Sequence, residues 1–144
     1  MKQIFIFIGI CLLLGTIFYY RSHPLSATIT IRGVVYPIEL AITSKEWEKG
    51  LAGRTSLPPG HGMLFIRDHK EQYQFWMAGM EFPLDFVWLD GNRIVEITKN
   101  VSVKTDGSIT TVKPNIPVDK ILELNAGEVE MAGIQVGDIA LFNK

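Results

Sequence analysis

The sequence predicts a mainly β, α+β domain: a small β-barrel-like fold with one or two short helices, preceded by an N-terminal transmembrane or signal segment. Three observations predict it. Short segments of alternating polar and apolar residues recur along most of the chain, glycine and proline separate them, and helical periodicity is confined to two brief stretches. At 144 residues, 47% of them apolar, the chain holds one domain with a real core and not two. The division expected is 1–27 as anchor or signal peptide plus tether, and 28–144 as a single β-rich domain.

The N-terminal segment comes first. Residues 4–20 are apolar apart from Gly9, Gly15 and Thr16, with Lys2 before them and Arg21 after. Seventeen residues is the lower limit for a spanning helix and slightly longer than the apolar region of a signal peptide, so an uncleaved signal anchor is the first expectation. Secretion after cleavage near Ala27 is the alternative, because Leu25-Ser26-Ala27 weakly matches the small-residue cleavage pattern. The expected placement is membrane-anchored, with the domain on the extracytoplasmic side and the membrane met through residues 4–20.

Strands and turns follow in order. Thr28–Ile31 and a run from Val34 to Ile42, joined by Arg32-Gly33, read as a hairpin. Thr43 and Glu46 form a capping-box signature that opens a short helix over Ser44–Ala52. Pro58, Pro59, Gly60 and Gly62 make a loop, followed by strands at Met63–Ile66, Gln72–Met77 and Leu84–Asp90. Asp90-Gly91-Asn92 turns the last of these into Arg93–Thr98. Residues Lys99–Asp119 read as a long polar excursion containing a strand at Ile109–Val112. Ile121–Leu124 and Ile139–Phe142 close the fold around a helical turn near Ala126–Ala132.

Composition excludes several functions. Beyond residue 27 the chain loses Lys2 and Arg21 and no acid, so its formal charge falls from −1 to −3, with no electrostatic footprint for nucleic acid. Cys11, the only cysteine, lies in the apolar segment, which leaves the domain no disulfide, thiolate metal site or cysteine nucleophile. No Gly-x-Ser-x-Gly, P-loop, His-Glu-x-x-His or Cys-x-x-Cys motif is present, and no cofactor is implied.

The carboxylate of Asp85 stands among large apolar residues between Gly62 and Gly91. Strand alternation sets Leu84, Phe86 and Trp88 on one face and Asp85, Val87 and Leu89 on the other, so the strand is read as buried on both sides. Either Asp85 is satisfied structurally, by amides of the Gly79–Phe82 turn or by Arg54, or it belongs to a ligand cleft with Arg54, Met63 and Trp76. A binding module for a small ligand or an envelope partner is the function this favours. Three alternatives stand beside it. A hydrolase would pair Asp85 with Glu123, although alternation places Glu123 with Ile121 and Asn125 on a face read as solvated. A Cu(I) site would draw on His61, Met77 and Met80. A purely structural interaction domain would have no cleft at all.

The spaced motifs Gly50-Leu51 with Arg54, Gly62-Met63-Leu64-Phe65, Phe75-Trp76-Met77, Pro83-Leu84-Asp85, Asp90-Gly91, Leu122-Glu123-Leu124, Ala126-Gly127, Gly133-Ile134 and Gly137-Asp138 resemble the domain-of-unknown-function 192 family. The resemblance covers about residues 28–144 and implies a small β-rich domain, often exported or membrane-anchored, with no established activity. Two stretches depart from the family pattern. Leu51-Ala52-Gly53-Arg54 stands where Leu-Met-Phe-Arg is common, and Met77-Ala78-Gly79-Met80 where Met-x-Asn-Thr is common.

Overall fold

The computed structural model describes residues 27–144. The expected apolar segment 4–20 lies outside them, and among the described residues no helix is long and apolar enough to cross a membrane.

The first hairpin forms as its sequence requires. β1 (Thr28–Ile31) pairs antiparallel with β2 (Val34–Ala41). Arg32 and Gly33 both take positive φ, 51° and 81°, the pair of left-handed residues that lets a two-residue turn follow the strand twist. α1 (Ser44–Lys49) then starts on the expected capping box, with the Thr43 side chain accepting from the Glu46 amide and Glu46 accepting from Thr43 in return. It carries the chain to β3 (Gly62–Glu71), which lies parallel to β2.

Beyond β3 the expected strand at Gln72–Met77 shrinks to β4 (Phe75–Trp76) and leaves the main sheet. β5 (Leu84–Asp90) and β6 (Arg93–Val101) form the hairpin expected at Gly91. β7 (Thr111–Val112) pairs only with β4, so the polar excursion returns to form a two-stranded flap. β8 (Val118–Asn125) then inserts antiparallel between β3 and β5. α2 (Glu128–Met131) leads to β9 (Ala140–Asn143), which pairs with β1.

The seven-stranded order is β6-β5-β8-β3-β2-β1-β9. The sheet curls until its two edges meet at one end only, where the Ile94 amide donates to Asp138 O at 2.9 Å and the Ala140 amide to Asn92 O at 2.8 Å. The result is a curled half-barrel with two short helices.

Alternation along the strands builds two cores, one on each face. The inner one takes Ile29, Tyr36, Leu64, Val87, Leu122 and Ala140, from strands all around the curl. The outer one takes Phe65, Phe86, Trp88 and Ile121 from the sheet, together with Leu51 after α1 and Phe75 from the flap. Edge-on aromatic packing ties flap to sheet, with Phe75 at 5.0 Å from Phe65 and 5.7 Å from Trp88 between ring centroids.

Gly62 shows how closely β3 and β8 approach. A Cβ there would lie 2.9 Å from the backbone oxygen of Glu123 and 2.9 Å from Leu124 Cδ2, so no side chain fits without moving the strand. Gly62→Ala is expected to cost about 1–3 kcal/mol by overpacking. A denaturant midpoint unchanged from wild type would contradict this close approach.

Candidate functional site

Asp85 is fully buried at 0% exposure on the inner face, and it is satisfied. Its carboxylate accepts from the amides of Asn100 at 2.7 Å, Gly127 at 2.9 Å and Val129 at 3.1 Å. Two of these bonds cap the N-terminus of α2, where Gly127 has no side chain to do so. The third pins the irregularity between β5 and β6, at which Asn100 takes φ 54°. The satisfaction expected for Asp85 is therefore present but comes from other partners than the Gly79–Phe82 turn or Arg54. Arg54 instead holds Glu39, its Nη2 donating to Oε2 at 2.8 Å.

Glu123 corrects the reading of a solvated face. Alternation does place it with Ile121, but that face is the outer core, because β8 lies in the middle of the sheet with flap and helix above it. Its cross-strand neighbours are Met63 on β3 and Phe86 on β5. The side chain is 5% exposed. With no compensating partner among the described residues, burial pushes its carboxyl up to about 8, so it is mostly uncharged at neutral pH. Asp85 faces Leu124 rather than Glu123 across the β5–β8 pair, so the two carboxyls lie on opposite faces and form no acid–base pair.

Glu123 lines a cleft of about 280 Å³. One wall is α1 with the turn after it, including Trp47 and Leu51; the other is the flap, with Phe75 and Trp76; Phe65, Leu84 and Glu123 belong to the sheet beneath. Trp47 is held in place by an indole hydrogen bond of 2.9 Å to Ala41 O and by Phe65, 5.3 Å away between centroids. This volume lies just below the roughly 300–1,000 Å³ of small-molecule sites, and an apolar lining with a few polar groups is their usual chemistry.

Of the expected ligand residues, Trp76 lines this cleft, half exposed at 50%, while Met63 is buried beside Glu123 in the sheet. Arg54 and Asp85 do not line it. Of the expected metal residues, Met80 lines the cleft, Met77 is buried in the outer core, and exposed His61 sets its Nδ1 at 3.2 Å from Pro59 O. Among the described residues no group of three or more histidine, cysteine or acidic side chains is placed to hold a metal ion.

Two cleft residues escape the sequence reading: Trp47, read only as part of a helix, and Arg67, whose one sequence signal is that it continues the alternation of Met63 and Phe65. The Arg67 guanidinium lies 3.8 Å from the Trp47 ring centroid and 5.0 Å from that of Tyr73. Its Nε is buried without a hydrogen-bond partner.

The family described as "Uncharacterized ACR", domain of unknown function 192, matches residues 27–141. Two crystal structures are similar. One is of a protein of unknown function from Novosphingobium aromaticivorans DSM 12444, at 31% identity and TM-score 0.71, covering 83% of this chain and 89% of that one. The other, from Sinorhizobium meliloti 1021, is described as a proposed transcription regulator, at 28% identity and TM-score 0.72, covering 81% of this chain and 91% of that one. No curated protein matches significantly.

Proposed function

The chain belongs to the domain-of-unknown-function 192 family, and from that premise we propose that it is a binding module whose cleft between α1 and the flap takes a small ligand over Glu123. The observation that carries this reading is Glu123 itself, a carboxyl 5% exposed and without a partner, at an aromatic-walled cleft. Buried polar groups in folded proteins are nearly always satisfied. One left open toward a cleft costs stability, and a ligand that supplies its hydrogen bond recovers that cost.

The domain is extracytoplasmic and tethered by residues 4–20; the apolar run flanked by Lys2 and Arg21, and the absence of cysteine beyond Cys11, support that placement. Regulation of transcription, the description given to the Sinorhizobium protein, has no support here from charge, since the part beyond residue 27 carries −3.

Native mass spectrometry of the full chain, extracted in detergent from its source membranes, tests the reading. The expected spectrum holds a small molecule that wild type retains and that is lost in Ala78→Trp, which puts an indole at a residue lining the cleft. A wild-type mass equal to the polypeptide alone, or a ligand retained equally by Ala78→Trp, contradicts it.

A further inference from the structure

We propose that the cleft takes an elongated organic acid: its carboxylate on Arg67 at one end, an uncharged hydrogen-bond acceptor on Glu123 at the other, and an apolar middle along Trp47 and Phe65. This rests on the cleft being a ligand site and names the class of ligand.

The charged and titratable groups lining the cleft are Glu48, Lys49, Arg67, Tyr73 and Glu123. Glu48 and Lys49 are exposed neighbours of opposite sign at the end of α1 and cancel. The Tyr73 hydroxyl is committed, donating to His69 O at 2.9 Å. Arg67 remains. Among the described residues it makes no ion pair; its Nε is buried, and the guanidinium is fixed over Trp47 and Tyr73, with a side-chain hydrogen bond to Tyr73. A guanidinium fixed in place with no carboxylate of its own suits one from a ligand. A cationic ligand is disfavoured at this end, where Arg67 repels it and already covers the face of Trp47.

Glu123 supplies the second end. Uncharged in its desolvated position, it offers an O–H to a carbonyl or ether oxygen and does not repel an anion. The separation follows from the strand. Met63, the cross-strand neighbour of Glu123, lies four residues from Arg67 on β3, at most about 13 Å along the strand, which is irregular beyond Ile66, with Phe65 between them. A ligand with two polar ends and an apolar centre matches that order.

The test uses the full chain in detergent and three matched probes: benzoylvalerate, its primary amide and the corresponding ammonium compound, titrated by calorimetry. At pH 7 the acid is expected to bind roughly tenfold more tightly than the amide, and Arg67→Gln to erase that ratio. Glu123→Gln, which keeps an uncharged donor, retains acid binding. It also abolishes the weakening expected in wild type as pH rises past about 8. An amide or ammonium probe that binds as tightly as the acid, or an acid-to-amide ratio unchanged in Arg67→Gln, overturns the organic-acid proposal and leaves the cleft a ligand site. Failure of all three probes also overturns it, and a ligand retained in the native spectra then shows that the broader reading survives.

Discussion

Asp85→Asn is expected to destabilise the domain by about 3–5 kcal/mol, seen as a fall of roughly 10–20 °C in melting temperature. Three backbone amides, from Asn100, Gly127 and Val129, converge on the Asp85 carboxylate at 2.7–3.1 Å. Asparagine keeps one acceptor oxygen and turns an NH₂ group toward amides that are themselves donors. At 0% exposure no water relieves that clash. Both the start of α2 and the irregularity in β6 lose their anchor together, so local hydrogen exchange at residues 100 and 127–129 should rise with the fall in melting temperature. A variant that melts within a few degrees of wild type would show that Asp85 does not hold these segments.

The legibility of Asp85 and Glu123 differed for a physical reason. Both are acids among apolar neighbours on strands, and alternation assigned each to the correct side of its own strand. For Asp85 that sufficed, since its own strand reads as buried on both faces. For Glu123 it did not, because a face is buried or wet according to what covers it. The cover is α1 and a flap made by β4 and β7, whose partners lie 35 residues apart at Trp76 and Thr111. Such non-local pairing leaves no periodic trace. The hairpins at Arg32-Gly33 and Gly91, and the capping box at Thr43, are set by neighbours in sequence and were readable. Arg67 was hidden for the same reason as Glu123. Its significance is the ring of Trp47, which reaches it only when α1 folds back over β3.

Glu123→Gln carries the other large effect, and it depends on pH. In the unfolded chain the Glu123 carboxyl releases its proton near the ordinary value of 4.5, whereas the native protein keeps it until about pH 8. Between these values the unfolded state binds fewer protons than the native state, so this residue makes stability fall as pH rises. The slope is about 1.4 kcal/mol per pH unit. Below pH 4.5 the contribution is absent, at pH 7 the penalty has grown to about 3 kcal/mol, and above pH 8 it levels off. Glutamine does not titrate. The stability of Glu123→Gln relative to wild type should therefore improve by about 3 kcal/mol between pH 4.5 and pH 7. Taking the difference between the two proteins cancels groups such as Glu39 and Asp119, whose carboxyls are held low by Arg54 and Lys120 and whose contributions run the opposite way. Parallel stability curves for the two proteins across this range would show that Glu123 is not desolvated.

The most direct measurement is the NMR titration of the Glu123 side-chain carboxyl carbon in the full chain, assigned by its loss in Glu123→Gln. The expected midpoint is about 8, with the resonance of an uncharged acid at pH 7. A midpoint near 4.5, the ordinary value for glutamate, would place the carboxyl in water and contradict a cleft built over a buried, unpartnered acid.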